Sequence, residues 1–452
     1  MSLFDGKWLP SETFELDLER LRRGWYTDQY FNNIVRILTR LAEEGYRFAG
    51  RCPALEEQGI DVGSVAVGDL EVDMQFFTRR QPFTILAGMD HALAILRECT
   101  GYWEKAGGTG ERFVNTADRL EVEAQRDGAR VEPWETVLRV RGRYRDFAAL
   151  ETVLLGALSR GSRIATNVYR TLRASRGKPI LFFPARFDLP ATQASDGYAY
   201  HIAVQRYNYE TGANVPSFVS TDAQGSWWGG RGVGTVAHAY ILSFLRDTAT
   251  AMLEFARIMP VEVRRIALVD TNNDCVGDSL ATARALFARY RALKRAGAEE
   301  EAKKYLLFGV RPDTASNLRD VSLEPLGTPE LDCGVNPRLV WALRRALDEE
   351  PARLNLPPEE RAEAEAYFRN VKIIVSGGFN AKRIERFETL GVPVDMYGVG
   401  STYFSGETND FTADVVRVKI GGVWHDLAKV GRQARDHPAL ETVELRKKEA
   451  GP

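Results

Sequence analysis

The stretch RRIALVDTNNDCVGDSLATARALFARYRALKRA, Arg264 to Ala296, decides the fold. Its first part is a short aliphatic run closed by Asp270. Its second part spaces Leu280, Ala283, Leu286, Phe287, Tyr290 and Leu293 three and four residues apart. A short apolar run bounded by polar residues reads as a strand covered on both faces, and the period that follows reads as a crossover helix. The couplet recurs on either side. KYLLFGVRPD (Lys304–Asp313) precedes a loop and RLVWALRRALDE, and VKIIVSGG (Val371–Gly378) precedes AKRIERFETLG. VDMYGVGS (Val394–Ser401) closes the series, while upstream PILFFPAR (Pro179–Arg186) follows a long helical stretch from Phe147 to Ser175. Strand–helix alternation of this kind predicts an α/β fold with a parallel sheet, and an irregular (β/α) barrel in preference to an open sheet.

The strands share one feature at their C-terminal ends, the edge that hosts chemistry in α/β barrels. Asp270, Arg311 with Asp313, Gly377 with Gly378, and Gly398 with Gly400 all fall there. Glycines let the backbone approach an anion, and successive N–H groups cradle phosphate, so SGG (Ser376–Gly378) and GVGS (Gly398–Ser401) are candidate phosphate loops; alone, each reads equally as a turn. Asp270 is a candidate for ribose hydroxyls or Mg²⁺, because Asp278, just before SLATARAL, is the expected helix cap. Arg311 and Asp313 offer a guanidinium and a carboxylate beside a rigid proline, or simply a surface ion pair. His238 lies early in the apolar segment GTVAHAYIL, where a histidine serves as acid, base or phosphate acceptor, or only fills space. Trp227 and Trp228 stand in the glycine-rich AQGSWWGGRG, as stacking rings or as buried area.

The rest of the chain divides around this barrel, assigned to residues 145–405. Residues 1–144 read as an α+β domain, with a helix from about Asp28 to Ala42, a β-rich stretch from Ser64 to Leu86, a helix opened by Asp90, and a strand in VLRVRGRY. Residues 406–452 read as a hairpin around Gly421–Gly422 and a charged tail, expected to pack on the N-terminal domain. AGAEEEAKK and the Pro-marked DEEPARLNLPPEERAEAEAYFRN are expected to be solvated surface.

Composition narrows the class. The 452 residues, 44% hydrophobic and 27% charged, exceed one ordinary core and exclude long disorder. Sixty basic against sixty-two acidic residues, a formal charge of −2, argue against a nucleic-acid partner. No apolar run is long enough for a membrane span, and the opening MSLFDGKWLPSETFELD carries acids and a proline where a secretory signal needs a basic end and an apolar stretch. Cys52, Cys99, Cys275 and Cys333 form no CxxC pair, so neither disulfides nor a thiolate zinc site is expected, and no metal is assigned to protein ligands alone. A cytoplasmic protein with free thiols is the expectation. No GxxxxGK[ST] and no strand-linked GxGxxG is present.

Taken in order, YTDQY (Tyr26–Tyr30), FFPARF, STDA, GTVAHA, VDTNND, GVRPD, SGGF and YGVGS resemble the nicotinate and nicotinamide phosphoribosyltransferases, which share the type II phosphoribosyltransferase barrel. The resemblance spans most of the chain. It implies that Phe183 and Tyr26 sandwich the pyridine, with Tyr26 contributed by a second copy in a homodimer with shared active sites. It implies substrate contacts for Arg186, Arg311 and Asp313, with Asp270 near the ribose or pyrophosphate. Gly377, Gly378, Gly398, Gly400 and Ser401 would hold the 5′-phosphate. His238 resembles the histidine phosphorylated by ATP, and Mg²⁺ would accompany the pyrophosphate group. The implied reaction makes nicotinate mononucleotide and pyrophosphate from nicotinate and phosphoribosyl pyrophosphate with ATP hydrolysis, in NAD biosynthesis.

The sequence departs from that pattern at Asn272, where a tyrosine is common, and at Pro184, where a glycine is usual. Asp222 in STDA resembles the branch that uses nicotinamide, while GTVAHA resembles the branch that uses nicotinate; the longer segment is given the greater weight. The alternatives are a nicotinamide enzyme of the same fold, a non-catalytic nucleotide-binding barrel, and an unrelated sugar-phosphate barrel.

Overall fold

The computed structural model describes residues 7–106, 110–406 and 410–446. The first six residues of the opening segment and the last six of the charged tail lie outside the described residues. The chain forms two compact units: Met1–Thr166 with His201–Arg206 and Gly406–Pro452, and Asn167–Tyr200 with Tyr207–Ser405.

In the first unit, alternation in the strand Glu71–Thr78 sends Val72, Met74 and Phe76 into the core and Asp73 to the other face. This strand pairs antiparallel with Phe411–Ile420 on one side and Thr136–Arg143 on the other, at the centre of a six-stranded sheet. The strand Phe411–Ile420 turns through Gly421–Gly422 into Val423–Asp426, and Glu441–Val443 forms the opposite edge. Asp73 is fully buried, and a buried carboxylate is tolerable only with partners. Three guanidiniums supply them: Arg139 at 3.3 Å, Arg141 at 3.0 Å and Arg417 at 3.2 Å.

The helix expected from about Asp28 runs over Gln29–Glu43. The one expected to open at Asp90 begins at Met89, after Gly88 in a left-handed conformation. Its anion is Asp127 rather than Asp90: the Asp127 carboxylate accepts Met89 N–H at 2.8 Å and Asp90 N–H at 3.1 Å, meeting the positive end of the helix. Burial, with the charge of Asp90 nearby, pushes the Asp127 carboxyl up to about 7.

The second unit holds six parallel strands in the order Arg265–Leu268, Leu307–Arg311, Lys372–Val375, Met396–Val399, Ile180–Phe182 and Phe218–Val219. They curl into a half-barrel, the form taken by the irregular barrel expected from the alternation. The strands are buried almost throughout, which is why they read as unbroken apolar runs. Leu181, Ile266, Ile374 and Met396 pack together, with Phe183, Phe218 and Phe308 against them.

Helix Cys275–Arg295 is capped by Asp274, whose carboxylate accepts Gly277 N–H at 2.8 Å. The expectation that Asp278 caps it is therefore corrected. Asp278 sits inside the first turn and accepts from Asn272 Nδ2. All four cysteines are free. Among the described residues no helix is long and apolar enough to cross a membrane.

Candidate active site

Parallel strands in one register bring their C-terminal ends to one edge, so residues far apart in sequence meet there. Asp270 lies two residues beyond Arg265–Leu268, Arg311 ends Leu307–Arg311, Ser376 follows Lys372–Val375, and Phe183 follows Ile180–Phe182. His238 is the first residue of a helix of only six residues, His238–Ser243, shorter than the apolar run suggested.

Two polar clusters form at this edge. In the first, His238 Nε2 lies 3.1 Å from Asp270 Oδ1 and 3.0 Å from Oδ2. The ring is half-exposed and the carboxylate is nearly buried. Burial raises the Asp270 carboxyl above its usual range, and the charge of Asp313 adds to the rise, while the bond from His238 opposes it.

The second cluster centres on Ser376, which sequence reasoning placed only within a glycine loop. Its hydroxyl accepts from Arg311 Nη1 at 2.9 Å and donates to Asp313 Oδ1 at 2.7 Å. Arg311 Nη2 donates to the Val236 carbonyl at 3.1 Å, tying the strand end to the segment that carries His238. Burial holds the Arg311 guanidinium below its usual range. The position of Ser376 at a strand end, just before two glycines, was the available signal.

The glycines have separate local reasons. Gly377 and Gly378 take φ values of 91° and 69°, a left-handed region that glycine enters without penalty. Arg383 Nη1 pins the loop through the Gly377 carbonyl at 2.7 Å. Gly398 lies under a ring: a Cβ there would be 2.9 Å from Phe183 Cε2 and 3.1 Å from Ser376 Cβ. At Gly400 it would be 2.7 Å from Phe187 Cε2. Gly398 and Gly400 thus make room for aromatic side chains. Ser401 opens a short turn and is exposed.

The comparisons with known proteins fit this arrangement. The family model described as quinolinate phosphoribosyl transferase, N-terminal domain, matches residues 61–162. Among solved structures, the nicotinate-nucleotide pyrophosphorylase from Pyrococcus furiosus is 25% identical, covering 95% of this chain and 85% of that one with a TM-score of 0.61. Human nicotinic acid phosphoribosyltransferase is 16% identical over 88% of this chain and 75% of that one, with a TM-score of 0.54, which bears on the fold alone. No curated protein sequence matches.

The chain has the fold of the type II phosphoribosyltransferases.

The remaining candidate residues lie as follows. Arg186 is exposed, its guanidinium 5.3 Å from the Phe187 ring centroid. Asp222 is exposed at the start of a four-residue helix, and its Oδ1 accepts Gly232 N–H at 2.9 Å, so the carboxylate braces its own loop. Trp228 belongs to that loop and donates through Nε1 to the Gln224 carbonyl at 3.0 Å; Trp227 packs near Tyr198. Tyr26 belongs to the first unit, 45% exposed, with its hydroxyl donating to Asp17 Oδ2 at 2.8 Å. Its neighbours anchor the segment: Thr27 Oγ1 donates to the Ala149 carbonyl, and Asp28 N–H donates to Thr152 Oγ1.

Proposed function

We propose that this enzyme is a nicotinate phosphoribosyltransferase that forms nicotinate mononucleotide and pyrophosphate from nicotinate and phosphoribosyl pyrophosphate, coupled to ATP hydrolysis, in NAD biosynthesis. The observation that carries the proposal is the His238–Asp270 pair at the strand edge. A carboxylate on Nε2 fixes that nitrogen as the proton bearer and leaves the Nδ1 lone pair as the nucleophile. Attack of Nδ1 on the γ-phosphorus of ATP forms a P–N bond as the bond to the ADP oxygen breaks. Water later cleaves the phosphohistidine, and the free energy released drives tighter substrate binding.

In the transfer itself the pyridine nitrogen displaces pyrophosphate at the anomeric carbon of the ribose. Asp313, held by Ser376, and Asp270 would fix the ribose hydroxyls and stabilise positive charge developing on the sugar. Among the described residues there is no group of three or more ligands that could cage a metal. Two carboxylates suit Mg²⁺, which keeps waters and takes most of its contacts from substrate phosphates. Asp270 and Asp313 would hold it, and bound Mg²⁺ would neutralise the departing pyrophosphate. The glycine loops Gly377–Gly378 and Gly398–Gly400, with Ser401, would offer N–H groups to the 5′-phosphate.

Phe183 is one wall for the base, and the exposed Tyr26 of a second copy would be the other, making the active unit a homodimer. Arg186 would pair with the carboxylate of nicotinate. Asp222 already accepts a backbone N–H, which favours nicotinate over an amide needing that carboxylate as its acceptor. A second reading, quinolinate as the base, draws support from the family model matched at residues 61–162. Quinolinate carries a second carboxylate that must leave as CO₂ to give the same nucleotide. It would need a second cation, and Arg311 is already engaged with Ser376, Val236 and Asp313.

Incubation with ATP labelled at the γ-phosphate tests the proposal. Acid-labile, base-stable label on the protein, lost in His238→Ala, is expected; equal labelling of wild type and variant, or none in either, would refute the coupling.

A further inference from the structure

Between helices His238–Ser243 and Thr248–Ile258 the chain turns through Leu245 and Arg246, with φ values of 55° and 72°. Two consecutive non-glycine residues in the left-handed region are sterically disfavoured. Burial does not explain the geometry, since Leu245 is 91% exposed. Hydrogen bonds hold it instead. Arg246 N–H donates to the Ile241 carbonyl at 3.2 Å, and Asp247 N–H to the Phe244 carbonyl at 3.0 Å.

Asn272 supplies the decisive anchor. Its Nδ2 donates to the Arg246 carbonyl at 3.0 Å and to the Asp278 carboxylate at 3.0 and 3.1 Å. It stands where the sequence departs from the family pattern, and a tyrosine has no amide with which to make this pair of bonds. The consequence is a fixed direction for the side chain: Arg246 Nη2 donates to the Thr271 carbonyl at 3.2 Å, one residue from Asp270. Among the described residues, Arg246 Nε and Nη1 have no protein partner in a hydrogen bond.

Charge makes this placement useful. The edge carries the carboxylates of Asp270 and Asp313, which repel a polyphosphate. Arg311 is committed to Ser376 and Val236, and Arg186 lies beside Phe187. Arg311 feels the charge of Asp270 but is held by its own partners, whereas Arg246 is held at the carbonyl of Thr271, the residue next to Asp270. A planar fork held by one Nη keeps its other donors aligned for phosphate oxygens, which the point charge of a lysine does not do.

We propose that Arg246 is a positioning residue for the polyphosphate group presented to His238 and Asp270, set in place by Asn272; the proposal deepens the function proposed above and rests on it. Calorimetric binding of inorganic pyrophosphate with Mg²⁺ reads it directly, alongside steady-state kinetics for wild type, Arg246→Ala, Arg246→Lys and Asn272→Ala. Arg246→Ala should weaken pyrophosphate binding by about tenfold, the loss of a charge-assisted bond at an exposed site. Arg246→Lys should recover part of it, and Asn272→Ala should weaken it with the arginine still present. The KM for the pyridine base should stay within about twofold of wild type. Equal pyrophosphate affinity in wild type and Arg246→Ala, or no binding by wild type, would overturn the assignment. Failure of every pyridine base to turn over, with pyrophosphate binding still lost in Arg246→Ala, would instead overturn the proposed reaction and leave Arg246 as a polyphosphate ligand.

Discussion

Gly398→Ala tests whether Phe183 forms the wall of the base site. Gly398 has no left-handed φ, so an added methyl meets no backbone penalty, only its neighbours. It would stand 2.9 Å from Cε2 and 3.1 Å from Cδ2 of Phe183, and 3.1 Å from Ser376 Cβ. Carbon atoms rest at about 3.5–4.0 Å, so the ring must move by roughly half an ångström or Ser376 must yield. Overpacking of this size costs about 1–3 kcal/mol. Drawn from base binding, that range raises the KM for the base between about fivefold and about 150-fold. Drawn from the fold, it lowers Tm by about 2–10 °C for a unit of this size. Because Ser376 bridges Arg311 and Asp313, displacement there lowers kcat as well. Differential scanning calorimetry and steady-state kinetics on the same preparation separate the routes. A variant with unchanged Tm and unchanged KM would refute the packing of Phe183 against this strand as a determinant of base binding.

Three further outcomes follow from the geometry. Asp270→Asn removes the anionic partner of His238 and should lower ATP-stimulated turnover about 10- to 150-fold, the worth of a charge-assisted bond. Since burial raises the Asp270 carboxyl, wild-type turnover should fall on the acid side through an inflection above the ordinary aspartate range, and that limb should vanish in the variant; an unchanged acid limb would reject Asp270 as its source. Glu151 is pushed up to about 7 by burial and by Asp414 and Asp28, so its contribution to stability is full below pH 4.5 and lost as pH rises through 7. Glu151→Gln should therefore raise stability above pH 7, by on the order of 1–2 kcal/mol after screening of its exposed part, with no gain near pH 4; chemical denaturation at the two pH values checks the sign. Asp274→Ala should cost about 0.5–2 kcal/mol through loss of the helix cap, readable by the same denaturation at pH 7.

The parallel half-barrel and the polar C-terminal edge of its sheet were legible because both are written locally. Apolar runs ending at Asp270, Arg311 and Ser376 mark buried strands, and their polar ends mark the edge. Pairing between distant strands is not local. Nothing near Phe183 says that Ile180–Phe182 lies beside Met396–Val399, so the seat of the ring against Gly398 was invisible. Ser376 escaped for the same reason, because its partners come from another strand. Capping failed at Asp274 and Asp278 because either carboxylate suits a helix start, and only the bend at Asn273, with φ of 55°, decides between them. The Leu245–Arg246 corner had no signal at all, since glycine is the usual mark of a left-handed turn and neither residue is one.

The measurement that bears most directly on the central claim is steady-state nucleotide formation with nicotinate, quinolinate and nicotinamide, each with phosphoribosyl pyrophosphate and Mg²⁺, with and without ATP. The account predicts turnover of nicotinate that rises with ATP and loses the rise in His238→Ala. Turnover of quinolinate with CO₂ release and indifference to ATP would contradict it, and would make His238 and Asp270 a pair serving a different base.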